Sequence, residues 1–125
     1  MRVTSLILFA AGVAGAVGVA AAAGASHLSG SRNLSAISSI CLAHGPALLA
    51  LGLYNRGGRL QTAASLLLAA GTLVFAADLG FREWQGFGMF PGAAPLGGLM
   101  MIAGWLCVAA ISAVTSKAFR PHGEN

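Results

Sequence analysis

The stretch "VTSLILFAAGVAGAVGVAAAAG", residues 3–24, decides the fold class. A bilayer's hydrocarbon core is about 30 Å thick, and about 20 apolar residues of helix cross it at 1.5 Å per residue. This stretch meets that length, and three others follow: residues 34–54, 60–80 and 95–114. Between them lie "ASHLSGSRN", "NRGGR" and "FREWQGFGMFPGAA", where charges, glycine and proline collect. Backbone groups in lipid must be bonded within their own segment, so each span is expected to be a helix. The expected fold is all-α: one integral membrane four-helix bundle over residues 1–125, with spans at about 3–24, 34–54, 60–80 and 95–114.

Composition points the same way. Of the 125 residues, 57% are hydrophobic and 8% charged, and the mean hydropathy is +0.80. A soluble domain carries about 25% charged residues. So little polar surface cannot cover a water-soluble globule. Arg2, the apolar run and "AAAAGAS" also resemble a secretory signal peptide, but the run exceeds the usual apolar length of one, so a retained first helix is expected.

The basic residues set an expected orientation. Arg2, Arg56, Arg59, Lys117 and Arg120 fall on one side of the four spans, and Arg32 and Arg82 on the other. The positive-inside rule then puts both termini in the cytoplasm. The pI of about 10.1 is read as this topology signal, with no nucleic-acid partner implied. A tail with only Lys117 and Arg120 is weaker than the basic clusters that bind anionic lipid.

The spans are rich in small residues. Gly12, Ala16, Ala20 and Gly24 recur every four positions in the first, beside a row of Ala11, Gly15 and Val19. Such rows allow close helix approach, so this helix is expected inside the bundle or at a subunit contact. The third span mixes Leu and Val among its small residues and is expected to turn one face to lipid. The fourth opens with Pro95, suited to a first helical position. Gly97, Gly98 and Gly104 follow, with Trp105 filling space beside them. Phe81, Trp84, Phe87 and Phe90 read as an interfacial aromatic belt on a short helix or turn.

Ionisable groups inside a span are the candidate functional residues. His44 lies near mid-membrane within "CLAHGPALLAL", residues 41–51, while Asp78 and His27 share the outer level. A His27–Asp78 pair above His44 would form an entry path for a proton or cation. The structural alternative leaves His27 in water, Asp78 bonding near the headgroups, and His44 as interhelical glue in a helix kinked at Pro46, whose missing N–H frees the carbonyl of Leu42. Cys41 and His44 share a face, but a metal needs about three or four ligands, so neither metal nor other cofactor is expected. No nucleophile motif, phosphate-binding loop or carboxylate pair is present, and no enzyme is expected.

"GASHL", "AHGPALLAL" and above all "APLGGLMMIAGWL" resemble the domain-of-unknown-function family DUF423 (YgdD-like) across essentially the whole chain. The family's third-span phenylalanine and its Pro-x-Gly-Gly…Gly-Trp signature fall on Phe75, Pro95, Gly97, Gly98, Gly104 and Trp105, and its two histidines on His27 and His44. The chain departs at Cys41, where the family has glutamine, and at Asp78, where it has a small hydroxylated residue. "FREWQ" is also more polar than usual. The resemblance implies a four-helix inner-membrane protein of unassigned molecular function.

The expected role is a non-enzymatic packing or accessory subunit in a membrane assembly, as a homo-oligomer or within a larger complex. Gly12, Gly15, Pro46, Pro95, Gly97, Gly98, Gly104 and Trp105 would serve helix packing. The alternative is a component transporting a proton, cation or small solute with His44 and Asp78 on the path. The visible lack of resemblance between spans one–two and three–four counts against inverted repeats.

Overall fold

The computed structural model describes residues 2–28, 30–54, 56 and 58–118, with side chains through residue 115. Four helices form: α1 Val3–His27, α2 Arg32–Leu53, α3 Arg59–Gln85 and α4 Ala93–Ala118. Each is long and apolar enough to cross a membrane, making the chain a multi-pass membrane protein, and among the described residues there is no strand. We call the end where α1 begins the lower end and the end where it finishes the upper end.

Local chemistry fixes the helix limits. Ser31 caps α2, its Oγ accepting from the Leu34 N–H at 3.2 Å, which satisfies one orphan donor of the first turn. Helix α3 runs five residues past the expected limit at 80, absorbing "FREWQ". An Asp78–Arg82 pair one turn apart holds this extension, and Gly86 stops it in the left-handed conformation (φ 79°) that glycine adopts without a Cβ clash. The turn before α4 shrinks to residues 86–92. Helix α4 starts at Ala93, so Pro95 occupies its third position. That amide, too, would have had no intrahelical partner.

Helices α2 and α3 are central and α1 and α4 flank them. The first pairs closely with α2 and the last with α3, while α1 also touches α3. Among the described residues no Cα of α4 lies within 8 Å of one in α1 or α2. The small first helix is therefore a flank, and the more mixed α3 is the most buried of the four. Helix α1 turns Ile7, Ala11, Ala14, Gly18 and Ala21 inward. Its expected packing row of Gly12, Ala16 and Ala20 faces outward instead, and Gly24 is half-buried.

The two helix pairs are built on one crossing. In α2, Leu42 and, three residues on, Gly45 meet Ala11, Gly15 and Gly18 of α1. In α3, Leu68 and Gly71, at the same spacing, meet Gly97, Met101 and Gly104 of α4. A methyl group built on Gly18 would lie 2.8 Å from Cγ of Leu42, and one on Gly104 2.8 Å from Cγ of Leu68. Gly45 faces the carbonyl of Ala11 and the amide of Gly15; Gly71 faces the carbonyl of Gly97 and the amide of Met101. The central helix comes second in the first pair and first in the second, so the shared crossing is traversed in opposite chain order. A search for tandem similarity misses such a relation.

Candidate functional site

His44 projects from the buried face of α2 and is 6% exposed. Its Nδ1 lies 2.8 Å from the carbonyl oxygen of Ile40, one turn earlier. From the other side the indole Nε1–H of Trp105, on α4, donates to Nε2 at 3.1 Å. The indole is donor-only, so Nε2 must accept and the ring proton sits on Nδ1, where it donates to Ile40. The hydrogen bonds thus define a neutral imidazole with both nitrogens engaged. The rings meet edge to face, centroids 5.9 Å apart at 62°, a favourable aromatic geometry.

This arrangement sorts the residues of "AHGP". Gly45 makes the close approach to α1. Pro46, next to it, is exposed. The histidine binds the carbonyl of Ile40 rather than that of Leu42. The matching position in α3 is Ala70, which shows that the crossing itself needs no polar group there. Bridging α2 to α4, whose backbones stay apart, is the task left to His44.

Asp78 is fully buried near the upper end. Its Oδ2 accepts from Nε of Arg82 at 2.9 Å and its Oδ1 from the Met89 N–H at 2.7 Å. The amide of Ala94, second residue of α4, also faces the carboxylate. Helix α4 has no acidic residue in its own first turn, so Asp78 supplies from α3 the negative charge that a helix N-terminus favours. Gly88 closes over this group: a methyl there would lie 2.6 Å from Oδ1 of Asp78 and 2.7 Å from Arg82.

The candidate residues are not brought together. His27 ends α1 as an exposed residue, whereas the bonds to Asp78 come from Arg82 and Met89. Eleven residues of α4 separate the contact of Asp78 from that of His44, roughly 16 Å by helical rise. Cys41 is buried beside His44, yet the imidazole nitrogens are already bonded. Among the described residues no three His, Cys, Asp or Glu side chains cluster as metal ligands. Gly97 and Gly104 lie in the tight α3–α4 crossing, and Gly15 in the α1–α2 crossing. Gly12 and Gly98 have no atom within 4 Å of an added methyl. Arg120 and the side chain of Lys117 lie outside the described residues.

Two further polar joints escape sequence reasoning. Glu83 Oε2 accepts from Ser31 Oγ at 2.7 Å and from Asn33 Nδ2 at 3.0 Å, fastening the start of α2 to α3. Gln61 donates to the Leu51 carbonyl at 3.0 Å and accepts from the Arg56 N–H at 3.3 Å, fastening the lower end. A capping serine before an apolar run was a visible signal for Ser31; nothing local marks Glu83 as its partner. Phe81, Trp84, Phe87 and Phe90 are exposed around the upper end, with Phe81 and Trp84 on the added turn of α3.

No family model, curated protein or solved structure matches the chain.

Proposed function

We propose that this chain is a non-enzymatic structural or accessory subunit of a bacterial inner-membrane assembly, with cytoplasmic termini, belonging to the DUF423 (YgdD-like) family. The observation that carries the reading is the bonding of His44: both nitrogens of a neutral, buried ring are engaged within the chain. Asp78 supports it, since its carboxylate is likewise bonded to side chain and backbone. Groups held this way serve as interhelical glue. A proton or cation path would need one of them to exchange partners. The outward row of Gly12, Ala16 and Ala20 on α1 supports assembly, because small residues permit close approach by another helix.

Gentle-detergent purification of the tagged chain from native membranes tests this, reading complex mass and co-purifying subunits. A stoichiometric partner or a defined homo-oligomer is expected. A monomer, or loss of proton or cation flux in vesicles of His44→Leu with assembly intact, would overturn the structural role in favour of transport.

A further inference from the structure

We propose that the two helix pairs are rigid bodies that rock against each other about the α2–α3 contact, with the His44–Trp105 bond as the latch. This goes beyond the role proposed above and does not depend on it.

Three observations combine. Within each pair the helices meet at backbone distance. Added methyl groups on Gly71 and Gly97 would fall 2.7–2.9 Å from backbone atoms across the α3–α4 crossing, and one on Gly45 would fall 3.3 Å from backbone atoms across the α1–α2 crossing, so neither surface can slide without separating. Thr72 adds a contact from its Oγ1 to Sδ of Met101 within the second pair. Each pair therefore moves as one piece.

Between the pairs the fit is loose on one flank. A groove of about 340 Å³ runs between α1 and α3, floored by Cys41 and Leu48 of α2. A second hollow of about 370 Å³ continues from Val17 and Leu73 to Trp84 and Gln85 at the upper end. Together these are apolar hollows along the α1–α3 seam, where the two helices touch without filling it. In lipid no hydrophobic drive closes such a cleft, because acyl chains fill it as well as side chains do.

On the opposite flank α2 and α4 have no Cα atoms within 8 Å of each other among the described residues, and the Trp105 side chain crosses the gap to His44. Rocking that narrows the α1–α3 cleft widens this gap and breaks the bond. The Ser31/Asn33–Glu83 joint restrains the same movement at the upper end. At the lower end the pairs are held by Gln61 and by chain connection. Because the latch is neutral, releasing it leaves no bare charge in the membrane.

Spin-label distance measurements on the full chain in nanodiscs test the device, in a background where Cys41 and Cys107 are alanine. Labels at Ser39 and Leu106 report across the latch, at Ala20 and Leu73 across the cleft, and at Val19 and Ala43 within the first pair. Removing the indole donor with Trp105→Phe is expected to add a longer population at 39–106 and a shorter one at 20–73, leaving 19–43 unchanged. Glu83→Ala, which removes the acceptor of Ser31 and Asn33, provides a second, independent release with the same expected pattern. Unchanged 39–106 distances in both variants, or an equal shift at 19–43, would overturn the proposal: the first shows one rigid bundle, the second general loosening.

Discussion

The indole of Trp105 decides the chemistry of His44, because a donor-only partner leaves the imidazole a single tautomer. Replacing Trp105 with Phe retains the ring and removes the donor. Hydrogen bonds between helices in membranes average about 0.6 kcal/mol and reach about 1.7. Trp105→Phe and His44→Ala should each lower the midpoint of detergent-induced unfolding. Their double-mutant cycle should give a coupling in that range. Zero coupling would show that the 3.1 Å contact carries no energy. The need for a partner to His44 was legible in the sequence, since a mid-span imidazole must bond to something. The partner was not: Trp105 lies 61 residues away, and among glycines it reads as filler. Asp78 shows the same limit, because its backbone partner, the amide of Met89, carries no side-chain signature.

Glycines divide into two classes according to the element they face. At Gly71 an added methyl would meet the carbonyl of Gly97 at 2.8 Å and the amide of Met101 at 2.9 Å. Backbone cannot give way as a flexible side chain does, so Gly71→Ala should force α3 and α4 apart, costing about 1–3 kcal/mol as overpacking does. Gly98→Ala, one position from a crossing glycine but facing open space, should be neutral or slightly stabilising, since Ala is the better helix former. Unfolding midpoints of the two variants make the comparison; equal losses would deny the crossing its special role. The four helices were legible because hydropathy and length are one-dimensional properties. Which glycine faces a neighbour depends on helix rotation, and the four-residue row of α1 lies on the outer face, away from the other three helices. The inward residues follow a mixed three- and four-residue spacing, Ala11, Ala14, Gly18 and Ala21, set by the partner helix.

The same logic governs how α4 begins. Asp78→Ala would leave the amide of Met89 without its acceptor, and a donor left unpaired away from water costs about 1–3 kcal/mol, an upper bound for this part-buried bond. Arg82, 44% exposed along its side chain, can turn to water, so the loss should appear mainly in the 86–92 turn. Hydrogen exchange should accelerate at Met89 and stay slow at the Gly71–Gly97 crossing. Uniform acceleration would mean that Asp78 stabilises the bundle as a whole rather than this junction.

At the scale of the whole molecule, four spans place the start of α1 and the end of α4 on one face of the membrane, with the 54–58 connection beside them. The 28–31 turn and the 86–92 turn then share the opposite face. This parity holds only if α1 and α4, the two less buried helices, both cross rather than lie along the surface. Their exposed Phe9, Val19, Leu99 and Leu106 require lipid around them, whereas a surface helix would pair one apolar face with a charged one. Single cysteines at Arg2 and Arg56 should therefore react with a membrane-impermeant thiol reagent from one side. Cysteines at Gly30 and Phe87 should react from the other, and native Cys41, 1% exposed within α2, should resist labelling from both. With the basic loop inside, as proposed above, the first set labels only after the membrane is opened. Labelling of Arg2→Cys and Arg56→Cys from opposite sides would break the parity and require α1 or α2 to leave the membrane. Joint labelling of that set from outside would keep the four spans and reverse the orientation.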